Sequence, residues 1–326
     1  MSTNGTPTVA DWFQDKSWAY SITFDEALAD LHRFAIPILQ AAGVPGHVEV
    51  VVGQLGQVRA IGDSSYNGFR HMNATELRAL LAMGWGVANH SWSHDRVNAT
   101  TAPLELERAK AVLEKAIGAP VSVYCSPCNN TNMNPEALAA CRRLGYLAAM
   151  SCTDALNRPG DADLLWLNRT FLLTQSYEPF FSEFDPWRNI RHAQHDRGWI
   201  IDYCHCPLER AVHLNKDCSA AELRRRIEVV CTEGGDEVWL ARVEDAVDYR
   251  YTRRAAIITA TGPNEFAVSA PGLPAAVRRR ALTLRLPAGT AGATVDGADV
   301  PLRTGREGAT IEIDAGRSRT LRLRGR

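Results

Sequence analysis

The chain lacks an excess of either charge: 36 Lys and Arg stand against 37 Asp and Glu among 326 residues. That balance excludes the basic footprint by which nucleic acid or an anionic membrane surface is bound. Long apolar runs are missing too, and none approaches the roughly 18 residues of a transmembrane segment. The opening stretch MSTNGTPTVADWFQDKSWAY has neither the basic nor the apolar region of an export signal. As written, the chain reads as soluble and cytoplasmic, or as extracellular or periplasmic if a leader has been trimmed. No internal repeat or low-complexity tract interrupts it, and nothing in it fixes an oligomeric state.

A disulfide framework is absent as well. Cys125, Cys128, Cys141, Cys152, Cys204, Cys206, Cys218 and Cys231 do not have the compact spacing of a small secreted scaffold. CSPC (125–128) and CHC (204–206) raise a structural zinc cluster, since thiolates at such spacing can clamp that ion. Small apolar fillers near strand ends are the stronger reading.

What the chain does have is alternation. VEVVV, WGVANH, VSVYC, YLAAMS, GWIIDYCHC and EVWLA read as strands, separated by helical patterns. NATELRALLAMG opens on Asn73 with Glu76 three residues on, a capping box, and SAAELRRRIEVVC repeats the device with Ser219 and Glu222. NPEALAACRRLG has Asn134 as cap, Pro135 in the first turn and Gly145 as stop. Strand, helix, strand in succession predicts parallel strands joined by right-handed crossovers. Asp25 and Glu26, His90 and His94, the 125–130 stretch, Asp154 and His205 all fall just after expected strands. In a β/α barrel such positions form the C-terminal rim, where sites are built.

From about Tyr251 the helical patterns stop. AAIITAT, EFAVSA, ALTLRL, ATIEID and RTLRLR are short strands, which predicts a small all-β sandwich. The expected organisation is a lead-in over 1–17, an α/β distorted barrel over 18–250 and the sandwich over 251–326. Stabilising the barrel is a better-founded role for the sandwich than binding carbohydrate, because fold alone confers no function.

The chemistry centres on SITFDEALADL, which sets Asp25 beside Glu26 where a strand pattern gives way to a helical one. Acids at a helix N-terminus are ordinary. The alternative is that one holds a cation while its neighbour moves a proton. NHSWSHD places His90 and His94 four apart. Two imidazoles and an upstream carboxylate suggest a two-histidine, one-carboxylate metal site with open positions. Such an ion lowers the pKa of water toward about 7 and polarises a carbonyl. Glu26 is then the carboxylate ligand and Asp25 the general base. Tryptophans are more often core or pocket wall than recognition elements, and only Trp92, inside the histidine motif, is taken as a sugar-stacking candidate.

SITFDE, NHSWSH, YCSPCNNT and IIDYCHC, in this order, resemble the motifs of the NodB-type polysaccharide deacetylases, carbohydrate esterase family 4. The likeness runs roughly from Trp18 to Arg254. It implies a distorted (β/α) barrel, Asp25 as catalytic base, and Glu26, His90 and His94 around one divalent ion. Zinc comes first for that ion, with cobalt, nickel or iron as alternatives. It also implies His205 as general acid, a role that suits a histidine because its pKa lies near working pH. Asp154 falls near the fourth motif and either orients His205 or simply caps a helix.

Two departures stand out. Glu26 replaces an aspartate, so the carboxylate reaches one methylene further. Cys125-Ser126-Pro127-Cys128 replaces Arg-x-Pro-Tyr, so the arginine that steadies the base is missing there. The Cys128 N–H can still hold an oxyanion, because that donor does not depend on the side chain. The resemblance thus implies a metal-dependent hydrolase that removes acetyl from an N-acetylated amino sugar or polysaccharide. The alternatives are an O-acetyl carbohydrate esterase, a hydrolase of a non-sugar C–N amide, and a catalytically silent carbohydrate-binding protein.

Overall fold

The computed structural model describes residues 5–60, 62–176 and 182–325. The chain divides into two compact units. One holds 20–235 and 240–244; the other holds the N-terminal segment up to Ala19 together with 236–239 and the chain from Asp245 onward.

The first unit is organised by one curled sheet. Its strands are β1 (Trp18–Asp25), β2 (Gly46–Val50), β3 (Gly86–Asn89), β4 (Val123–Cys125), β5 (Ala148–Met150), β6 (Thr170–Phe171), β7 (Trp199–Cys204) and β8 (Val238–Leu240). The order across the sheet is β5-β4-β3-β2-β1-β7-β6, with β8 pairing β1. The β1–β2, β2–β3, β3–β4, β4–β5 and β6–β7 pairs are parallel. Every residue of β1 to β3 is buried, as a sheet covered on both faces requires. This is the distorted barrel expected from the alternation, with its strand ends gathered on one rim.

The connecting helices begin where their capping residues predict. Asn73 accepts from the backbone of Thr75 and Glu76, and Glu76 reciprocates, opening Ala74–Ala82. Ser219 and Glu222 do the same for Ala220–Gly234. Asn134 caps Pro135–Arg143 through the Ala137 N–H. Each such cap is worth about 1 kcal/mol. The helix Ala109–Ile117 is entered through a wider, π-type turn over Pro103–Arg108, which buries Glu105.

Two buried charge clusters tie helices to the sheet. Arg226 donates through Nε to Asp202 Oδ2 at 2.7 Å, and the Tyr20 hydroxyl donates to the same oxygen at 2.8 Å. On β2, His47 lies between Glu49 (2.6 Å) and Glu244 (3.2 Å), while Glu244 accepts from the Val87 N–H at 3.1 Å. Burial alone would lower the His47 pKa, but Glu244 and Glu49 raise it to about 10.

The second unit is a β-sandwich. Its strands continue as β9 (Ile257–Gly262), β10 (Glu265–Ser269), β11 (Ala281–Arg285), β12 (Thr290–Val295), β13 (Ala298–Val300), β14 (Arg303–Gly305), β15 (Gly308–Asp314) and β16 (Arg319–Gly325). One sheet runs β9-β10-β16-β12-β13; the other runs Thr8–Val9, β11, β15, β14. Alternation is clearest on β16, where Leu321 and Leu323 are buried while Arg322 and Arg324 are exposed. Thr8–Val9, inside the expected lead-in, is an edge strand pairing with Arg285 and Leu284. The sequence pattern did not reveal β12 to β14, because Gly and Ala in TAGATV and the short ADV and RTG have little strand propensity.

Candidate active site

At the rim of the parallel sheet lies a cavity of about 710 Å³, lined in part by Asp25, Glu26, Arg59, His90, His94 and His205. Asp25 is the last residue of β1, so the strand carries its carboxylate straight to the rim. Glu26 turns out of the strand at φ 72°, and His94 (φ 62°) and Cys128 (φ 60°) share that left-handed conformation. Such backbone is costly for residues with a Cβ, and all three of these line the cavity.

Asp25 is 4% exposed, and its Oδ1 accepts from Arg169 Nη1 at 2.6 Å. Burial would raise its pKa. The Arg169 cation, with His90 and His205, outweighs that and holds the carboxyl well below the usual carboxylate range. Arg169 itself is fully buried, with Nε on the Ser151 carbonyl at 2.9 Å and its guanidinium over the Tyr203 ring at 4.0 Å. The cation absent from position 125 is therefore supplied at the start of β6. Sequence reading missed it because Arg169 is 144 residues from Asp25 and lies in no quoted motif. The Cys125 thiol lies 3.8 Å from Asp25 Oδ1 and is kept protonated by burial.

The histidines are brought together, with ring centroids 5.0 Å apart. His90 Nδ1 donates to the Cys125 carbonyl at 3.1 Å, which leaves the Nε2 lone pair free. His94 is held by its loop: its N–H donates to Ser91 Oγ at 2.9 Å. Glu105 secures the same loop, accepting from the Trp92 and Ser93 N–H groups at 2.9 and 3.0 Å and from Ser93 Oγ at 2.6 Å. Burial pushes His90 down to about 4 and His94 well below its ordinary value, so both are neutral at pH 7. Neutral imidazole is the form that binds metal.

Glu26 is 2% exposed. Its Oε1 lies 3.8 Å from His94 Nε2, while Oε2 pairs with the buried guanidinium of Arg59. The donor chemistry of Glu26, His90 and His94 fits a divalent ion, with Arg59 as a competing cation. Among the described residues, the tightest three-ligand group is a different one: Asp25, His90 and Cys125, with ligand atoms within 4.8 Å of one another. All eight cysteines are free, and among the described residues none clusters with a second cysteine as a metal group.

His205 Nδ1 donates to the Lys216 carbonyl at 3.0 Å, freeing Nε2 for the cavity. Its ring stacks on Tyr66 at 4.9 Å and 16°. Asp217 anchors this corner, accepting from the His205 and Cys206 N–H groups at 2.8 Å each and from the Tyr66 hydroxyl. The carboxylate that holds the His205 backbone is thus Asp217. Asp154 pairs with Arg188 and is not among the cavity-lining residues. Trp92 is also not among the lining residues; Arg108 sits over its ring at 4.6 Å. Cys128 lines the cavity, and among the described residues none accepts a hydrogen bond from its N–H.

The family description polysaccharide deacetylase matches residues 14–149, the stretch that carries Asp25, Glu26, His90, His94 and Cys128. That stretch is similar to the polysaccharide deacetylase family. The match ends before Arg169 and His205. Among solved structures, a proposed polysaccharide deacetylase from Mycobacterium smegmatis has a TM-score of 0.50 and 20% identity. The alignment covers 81% of this chain and 99% of that one, so the two share a fold. IcaB from Ammonifex degensii (TM-score 0.40, 21% identity) and the Streptococcus pyogenes deacetylase PplD (0.39, 19%) each match over 46% of this chain. The chain spans 66% and 62% of those two proteins. No curated protein matches it.

Proposed function

We propose that residues 18–250 form a carbohydrate deacetylase domain, with 251–326 an appended β domain, and that the reaction is hydrolysis of an N-acetyl group. The observation that carries this reading is Asp25, ionised by Arg169, in one cavity with neutral His90 and His94 and with His205. His90, His94 and Glu26 would hold one divalent ion, with zinc the first choice for two imidazoles and a carboxylate. When bound, that ion supplies Lewis acidity to the acetyl carbonyl and to water.

The chain's own groups account for the rest of the chemistry. Asp25 takes the proton of the attacking water as its oxygen bonds to the acetyl carbon. The Cys128 N–H would donate to the oxyanion that forms. His205 Nε2 then gives a proton to the leaving amine as the C–N bond breaks, releasing acetate and a free amino sugar. Arg169 and Asp217 keep base and acid in place without touching substrate.

The test is acetate release from N-acetylated chitooligosaccharides, with and without chelator, for wild type, Asp25→Asn and Glu26→Gln. Asp25→Asn should lower turnover by about 10²–10⁴ with bound metal retained. Glu26→Gln should lose metal. Should Asp25→Asn lose the ion while Glu26→Gln keeps it, the roles are reversed.

A further inference from the structure

Arg59 carries a buried charge that no step above uses. Its guanidinium pairs with Glu26, and the two side chains are 3% and 2% exposed. The described residues on either side of the turn that delivers it are braced. Arg59 N–H donates to the Phe69 carbonyl at 2.7 Å, and the Arg59 carbonyl accepts from Gly68 at 3.0 Å. Nε donates to Ser64 Oγ at 3.0 Å. His71 closes the hairpin: its N–H donates to the Gln57 carbonyl at 2.9 Å and its Nδ1 to the Glu26 carbonyl at 2.7 Å. This is a built contact and not a surface arginine that has strayed inward.

The two adjacent carboxylates are neutralised without a further cation. Asp25 is matched by Arg169 and Glu26 by Arg59, while His90 and His94 are neutral. A divalent ion at His90, His94 and Glu26 would sit beside the Arg59 guanidinium, and like charges at such range in a desolvated site repel strongly. Glu26 has two oxygens, but Arg59 already takes one and the second is 3.8 Å from His94 Nε2. The extra methylene of glutamate over aspartate is what lets one carboxylate reach either partner.

We propose that Arg59 and a divalent ion are alternative partners of Glu26. Arg59 neutralises the carboxylate in the ion-free protein and releases it when the ion binds, so the arginine sets the metal affinity of the site. The proposal rests on the reading of Glu26, His90 and His94 as the metal ligands. Its consequences are an affinity weaker than the donor set alone would give, and loosening of the 57–71 hairpin on binding.

Titrating Zn²⁺ or Co²⁺ into chelator-stripped protein, by calorimetry and by the Co²⁺ visible absorption, tests it without an activity readout. Arg59→Gln should bind at least about tenfold more tightly than wild type, the scale on which groups beside a ligand tune a metal. Equal or weaker binding in Arg59→Gln overturns the proposal while leaving the metal site intact. If neither protein binds the ion, the metal-ligand reading itself fails and the proposal with it. Should Arg59→Gln not fold, wild type decides by hydrogen exchange. The Arg59 and Gly68 amides should exchange faster with Zn²⁺ present, and unchanged or slower exchange overturns the proposal.

Discussion

Arg169 is the residue on which the ionisation of Asp25 depends. With the guanidinium 2.6 Å away, Asp25 is ionised far below neutral pH. Without it, burial would weigh more heavily, and the carboxyl pKa would climb. Arg169→Gln should therefore move the acidic limb of the pH–rate profile upward by roughly one to three units. The sign is fixed: a base that protonates at higher pH loses activity first on the acid side. A profile of kcat/KM over pH checks this, and an unmoved acidic limb would show that Arg169 does not act through Asp25.

Among the elements, the π-type turn Pro103–Arg108 has the most direct hold on the chemistry. It buries Glu105 under the histidine loop, where the carboxylate takes three hydrogen bonds from Trp92 and Ser93. Widened helical turns of this kind recur at functional sites because they re-aim a side chain. Glu105→Ala leaves two backbone donors without a buried acceptor and frees His94 from its left-handed conformation. Metal affinity should fall by about 10–100-fold, with His90, His94 and Glu26 all present. Equilibrium dialysis against Zn²⁺ measures it. The helix itself should persist, since Ala109–Ile117 keeps Leu113 and Ile117 buried.

At the scale of the whole molecule, stability should carry the signature of His47. Its pKa, raised to about 10, means that the folded state keeps a proton which the unfolded chain gives up near 6.5. The contribution is complete below about pH 6.5 and disappears as pH climbs through about 10. Glu244, lowered to about 2, acts in the opposite window: its share is present above about 4.5 and disappears as pH falls through about 2. Glu49, pushed up by burial, offsets part of the gain. Urea unfolding at pH 6.5, 8 and 9.5 should show stability falling with pH, and His47→Gln should flatten that slope. Removing one member of so buried a cluster should also cost about 3–5 kcal/mol at pH 6.5. Deleting 251–326 leaves every cavity-lining residue in place but strips Thr8–Val9 of its partner strand. Turnover per folded molecule on a soluble acetylated sugar should survive while Tm falls. Full loss of turnover in a truncation that keeps its circular dichroism would place part of the site beyond Tyr251.

The sequence by itself determined the main strands and helices of the parallel-sheet unit, though not Thr8–Val9 or β12 to β14. Period-two and helical patterns, with caps at Asn73, Asn134 and Ser219, specify strands and helices because those signals are local. It also placed Asp25, Glu26, His90, His94 and His205 at strand ends, and in a parallel sheet strand ends share one rim, so adjacency followed from topology. Only the tertiary structure decided what each of them touches. Arg169, Arg59, Glu105 and Asp217 reach the site across 144, 33, 12 and 12 residues of chain to Asp25, Glu26, Ser93 and His205. No periodicity or motif records such pairings, because a buried charge is satisfied by whichever opposite group the fold delivers. Trp92 and Asp154 show the converse. Both sat close to motifs in sequence, yet Trp92 meets Arg108 and Asp154 meets Arg188, because a side chain's direction is set by its backbone turn and not by its neighbours' names.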